Sequence, residues 1–171
     1  GFSDDLVSRA LVAAEAAEIE VHLILNKIDM TDRLEKARER IGFYALLGYP
    51  VHEVSATALP DQTLANLMPA VRDRTSVLIG QSGMGKSSLI NLLVPGADIA
   101  TQEISTVLNS GKHTTTYTRM YRIDEDTAVV DSPGFQEFGL YHLTEGMIER
   151  AFREFRPYLG SCQFVGCSHT K

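Results

Sequence analysis

Gly80, Gln81, Ser82, Gly83, Met84, Gly85, Lys86 and Ser87 form the most specific chemical pattern in the chain, G-x-x-x-x-G-K-S. An apolar run from Thr75 to Ile79 precedes it and a helical stretch from Ser87 to Leu93 follows, so a strand, a loop and a helix are predicted in that order. The glycines let successive backbone N–H groups curl around phosphate oxygens, and the positive end of the helix adds to the attraction. Lys86 would neutralise the β- and γ-phosphates of a nucleoside triphosphate, and the Ser87 hydroxyl would ligate Mg²⁺. Ser88, the next residue of the helix start, is counted with the same phosphate cradle.

Asn26-Lys27-Ile28-Asp29 follows a short apolar run, Val21 to Leu25. An aspartate there can accept from guanine N1–H and N2–H₂ together, a paired match that adenine does not offer. The Lys27 stem can cover the face of the base, and Asn26 can tie this loop to the phosphate loop. Ser55-Ala56-Thr57 follows the next apolar run, where a backbone N–H could reach guanine O6. Either motif alone is weak; both at strand carboxyl ends argue for guanine.

Asp131-Ser132-Pro133-Gly134 supplies a D-x-x-G arrangement after Val129-Val130. The carboxylate would reach Mg²⁺ and the Gly134 N–H would sense the γ-phosphate. Lys112-His113-Thr114-Thr115-Thr116 closes a long loop just before a strand. One of the three threonines could close on Mg²⁺ and the γ-phosphate, with Thr115 as the working assignment. The residue after D-x-x-G is Phe135, with Gln136 one step further. An apolar side chain cannot align water, so the catalytic group must come from elsewhere, and His113 is the best internal candidate.

The elements that must position these groups read as an alternation of helix and strand, the pattern of a layered α/β domain. Apolar spacing predicts a helix over residues 4–18 and strands over 21–25, 51–54 and 75–79. Asp32 and Glu35 resemble a capping box opening a second helix that Gly48 and Pro50 close. Further helices are predicted over 64–71, 87–93 and 144–156, and strands over 117–123 and 127–130. Residues 96–116 lack periodicity and read as a long loop.

The order of the motifs is unusual. Most GTPases run phosphate loop, switch threonine, D-x-x-G, N-K-x-D and then S-A; here the last two come first, a circular permutation. Domain termini that lie close together make such a rearrangement physically tolerable. With GQSGMGKSSLIN, HTTT, DSPGF, the EFGL at Glu137–Leu140 and CQFVGCSH at 162–169, the chain resembles the RsgA/YjeQ family of circularly permuted GTPases. The resemblance runs from about Phe2 to the end.

It implies a P-loop three-layer α/β fold in permuted order over residues 1–160. It also implies the start of a zinc-binding module at 161–171, an OB-fold and a strand expected upstream of Gly1. The implied activity is Mg²⁺-dependent hydrolysis of GTP to GDP in late maturation of the small ribosomal subunit, stimulated by that subunit. The implied partners are GTP, GDP and the subunit with its rRNA. The resemblance also favours His113 in catalysis. Cys162, Cys167 and His169 fit C-x₄-C-x-H, three of four ligands in the family's Zn²⁺ site, with the fourth expected beyond Lys171. Two thiolates and an imidazole suit that metal. The rival reading is a nucleotide-gated RNA- or protein-binding module whose hydrolysis is incidental. A second rival is another permuted GTPase family, which the cysteine–histidine tail disfavours.

Composition narrows the remaining classes. The 171 residues carry 44% apolar and 22% charged side chains, an ordinary globular balance. Asp plus Glu number 22 against 16 Lys plus Arg, a net charge of −6 that argues against stand-alone nucleic-acid binding. Two cysteines near the C-terminus make no disulfide framework. No apolar stretch approaches the length of a membrane span and no secretory leader opens the chain, so a cytoplasmic monomer without a membrane partner is expected.

Overall fold

The computed structural model describes residues 3–97, 118–132 and 139–161, and these divide into two units. The larger, His22–Glu137, carries the five strands found among the described residues. β1 (Leu23–Asn26) and β2 (Val51–Val54) pair in parallel, joined through α2 (Leu34–Leu46). After β2 come α3 (Pro60–Val71), β3 (Thr75–Leu78) and α4 (Lys86–Leu93). β4 (Arg119–Arg122) and β5 (Ala128–Asp131) complete the unit. β5 lies between β3, to which it runs parallel, and antiparallel β4. Parallel strands demand a crossover, and the helices between them supply it.

The core of this unit sits where α3 and α4 cover the strands. Val54, Leu67, Leu89, Ile90, Leu93, Val94 and Val129 form one buried cluster. Leu64, Leu67, Met68 and Val71 recur at helical spacing on α3, so one face of that helix packs inward and its start is fixed relative to β2. A polar chain ties the same elements: His22 and His52 share a ring-nitrogen hydrogen bond of 2.9 Å, and His52 meets Asn66 Oδ1 of α3 at 2.6 Å. Arg38 of α2 grips both carboxylate oxygens of Glu53 on β2 through its Nε, at 3.0 Å each.

The smaller unit comprises residues 2–21 with 138–171. Here α1 (Asp4–Ala16) packs with α5 (Glu145–Ala151), and the Thr144 hydroxyl caps α5 by accepting from Met147 N–H. The Glu15 carboxylate, nearly buried, accepts from Arg153 Nε at 2.7 Å and from the Arg156 guanidinium at 2.5 Å.

Most elements fall within two residues of the sequence reading at each end; three departures have a clear physical cause. Asp32 and Glu35 form no capping box: a 3-10 turn occupies Thr31–Arg33, no side chain caps α2, and Glu35 pairs with Arg38 at 3.1 Å. α3 starts four residues early because Pro60 takes its first helical position, where a missing N–H costs nothing. α5 ends at Ala151, since Phe152 adopts an extended backbone with ψ of 110°. Among the described residues no helix is long and apolar enough to cross a membrane.

Candidate active site

β3 delivers the chain into the glycine-rich loop, and α4 begins at Lys86. Gly83 and Gly85 have φ of +79° and +91°, the left-handed region that L side chains rarely adopt. Gly85 is the N-cap of α4 and offers no side chain, so no capping group satisfies the first-turn N–H donors. Those donors, with the positive helix end, suit an anion. The Lys86 ammonium folds back over the loop and donates to the Gly80 carbonyl at 2.8 Å.

The carboxyl ends of β1 and β2 close on this loop. Asn26 Nδ2 donates to the Met84 carbonyl at 3.0 Å, and its Oδ1 accepts from Ala56 N–H at 3.2 Å. One amide side chain therefore joins three loops. Lys27, itself left-handed with φ of +67°, places its ammonium on the Gly83 carbonyl at 2.9 Å. Ser55 is fully buried, and its hydroxyl donates to Asp29 Oδ1. The β1–β2 register sets these contacts: Asn26 lies opposite Val54, so Asp29 and Ser55 leave the ladder together.

β5 brings the acidic group. Its register places Asp131 opposite Leu78 of β3, two residues before Gly80. Asp131 is 4% exposed, and its Oδ1 is buried without a hydrogen-bond partner. Burial pushes its carboxyl above the ordinary range, an effect that the nearby Lys86 charge partly offsets. Burial likewise pushes Lys86 down, partly offset by Asp131. A desolvated cation and a desolvated carboxylate thus support each other beside the loop.

Of the residues singled out from sequence, Asn26, Lys27, Asp29, Ser55 and Ala56 converge with the Gly80–Ser88 segment, and Asp131 borders it. His113, Thr114, Thr115, Thr116, Gly134, Phe135, Gln136, Cys162, Cys167 and His169 lie outside the described residues. Among the described residues no cluster of three or more His, Cys, Asp or Glu could hold a metal. One contributor has no motif to announce it: Thr63 of α3, 1% exposed, accepts from Ser55 N–H at 3.1 Å. No signal in the sequence announces it, because a single threonine carries no spacing.

Residues 1–141 match the RsgA GTPase family. The chain belongs to that family. This RsgA-family chain is 57% identical over 168 residues to the small ribosomal subunit biogenesis GTPase RsgA of Burkholderia pseudomallei, covering 98% of the chain and 54% of that protein. It is 58% identical over 173 residues to the protein of the same name from Ralstonia nicotianae, covering 99% and 54%. The chain spans about half the length of the curated relatives it matches. Its fold is similar to the crystal structure of YjeQ from Thermotoga maritima, with a TM-score of 0.72, 30% identity, and coverage of 99% and 55%. It is also similar to YloQ, described as a circularly permuted GTPase, at a TM-score of 0.71, 29% identity, and coverage of 100% and 53%.

Proposed function

We propose that this chain binds GTP and hydrolyses it to GDP, within a protein that acts in late maturation of the small ribosomal subunit. The observation that carries the reading is the three-loop junction at Asn26, which holds a guanine-type Asp29 loop against a phosphate-type Lys86 loop. Backbone N–H groups from Gly80 to Ser88 and the Lys86 ammonium bind the phosphates. Asp29 accepts from the base, Lys27 lies along its face, and guanine O6 competes with Asn26 Oδ1 for the Ala56 N–H.

The donor set fits Mg²⁺. An orphaned, buried carboxylate oxygen on Asp131 is the kind of group that a hard cation satisfies, and the Ser87 hydroxyl stands in the first turn of α4. Asp131 and Ser87 would hold the ion, which when bound would supply charge neutralisation to the phosphates. Thr115 and Gly134 complete the γ-phosphate contacts in this reading. His113 aligns the attacking water, a role supported by the apolar Phe135 at the usual glutamine position.

The names of the relatives support the ribosomal assignment. Small subunits and their rRNA stimulate turnover in this account, in the cytoplasm and with the protein as a monomer. Cys162, Cys167 and His169 take Zn²⁺, a proposal that rests on their spacing. The test is hydrolysis of GTP and of ATP by the full-length protein with purified small subunits, large subunits and neither. Selective GTP turnover raised by small subunits alone is expected. Equal GTP and ATP turnover, or stimulation by either subunit alike, contradicts the proposal.

A further inference from the structure

Ser55 is held at every polar atom. Its carbonyl accepts from Leu59 N–H at 3.0 Å, and its hydroxyl oxygen accepts from Ala58 N–H at 3.2 Å. Because an ionised carboxylate can only accept, the hydroxyl hydrogen goes to Asp29 Oδ1. The fourth tether is the Ser55 N–H, the first donor beyond the β1–β2 ladder, which ends at the Asn26–Val54 pair. It reaches Thr63 Oγ1 at 3.1 Å. Two of the four groups bonded to Ser55 are backbone N–H groups from the turn that follows it; the other two are the side chains of Asp29 and Thr63. Thr63 reaches it from the first turn of α3.

Thr63 is almost completely buried where its neighbours on α3 are apolar: Leu64, Leu67 and Met68 pack against the core. A hydroxyl in such a place costs stability unless it is paired, and so does a buried peptide N–H. Each satisfies the other. The consequence reaches the base site, because fixing the Ser55 backbone aims its hydroxyl at one oxygen of Asp29. That fixes the rotation of the carboxylate about its own axis. A carboxylate accepting from two adjacent donors on a purine needs that rotation set.

We infer that Thr63 is a positioning residue for base selection, acting through Ser55 to orient Asp29. This rests on the reading of Asp29 as the guanine acceptor. Thr63 touches no nucleotide in this account; it determines how well Asp29 distinguishes a base with a 2-amino group from one without.

The experiment measures affinities for GTP and inosine triphosphate in the full-length protein, for wild type, Thr63→Val, Thr63→Cys and Thr63→Ser. Valine keeps the shape and removes the acceptor, cysteine keeps the volume with a weak acceptor, and serine keeps the hydroxyl. The expected result is that Thr63→Val lowers the GTP preference over inosine triphosphate by roughly tenfold, Thr63→Cys lowers it less, and Thr63→Ser restores it. Should the valine protein not fold, the cysteine protein and amide exchange at Ser55, slow in wild type and faster in Thr63→Cys, decide the matter. A folded Thr63→Val or Thr63→Cys protein with wild-type preference overturns the inference. So does equal weakening of both nucleotides, the signature of a merely structural role. Asp29→Asn separates the two levels. If it fails to favour xanthosine triphosphate, the base reading has failed; if it succeeds while the Thr63 variants discriminate normally, only the positioning role has failed.

Discussion

Asn26 Nδ2 occupies the space into which any side chain on Gly85 would project. The amide reaches that point because it bonds to the carbonyl of Met84, the residue just before the glycine. A β-carbon at position 85 would collide with the group that joins the loops, and φ of +91° already disfavours any L side chain there.

Gly85→Ala should therefore separate the Asn26 loop from the phosphate loop. The backbone cost is about 1–2 kcal/mol before the collision is added. Guanine nucleotide affinity should fall by well over tenfold, read by titration with a fluorescent GDP. A variant that binds normally would show that the three-loop junction is dispensable.

Asp131→Asn should stabilise the protein measured without Mg²⁺ or nucleotide. The folded carboxyl is raised above its unfolded value by burial, so its favourable contribution exists only at low pH and is lost as pH rises through the folded value. At neutral pH the ionised group thus opposes folding, and removing its charge should raise Tm by a few degrees despite lost support for Lys86. Turnover should drop by roughly 10²-fold or more. A lower Tm would mean that the Lys86 attraction outweighs the burial cost.

The Arg38–Glu53 pair gives an acid-sensitive contribution of the opposite sign. Hydrogen bonding to Arg38 holds the Glu53 carboxyl below its ordinary range, so stability is present above the unfolded value and is lost as pH falls through the folded one. Both side chains are more than a third exposed, so solvent screening keeps the pair's contribution small. Arg38→Met should lower Tm slightly at pH 7, and the difference from wild type should shrink as pH falls below the ordinary glutamate range. An unchanged difference across that range would assign the effect to packing.

The parts of the site legible in sequence are those where backbone chemistry dictates residue type. Gly83 and Gly85 must be left-handed, and Asn26 needs both a donor and an acceptor to join Met84 and Ala56, so type and spacing disclose them. Thr63 was illegible because its role depends on α3 turning it toward Ser55, and a lone threonine has no spacing to read. The capping box failed for a related reason. Glu35 had a tertiary competitor, Arg38, that local pattern does not reveal. The early start of α3 was written in Pro60, whose preference for a first helical position outweighed the polar run after it.

The Asp29 carboxylate carries the central claim, that this junction reads guanine and positions its triphosphate for hydrolysis. The most direct measurement compares turnover of GTP and xanthosine triphosphate by wild type and Asp29→Asn in the full-length protein. The account predicts an inverted preference, because an amide presents a donor to the base position where xanthine has an acceptor. Unchanged preference for GTP in the variant would contradict it.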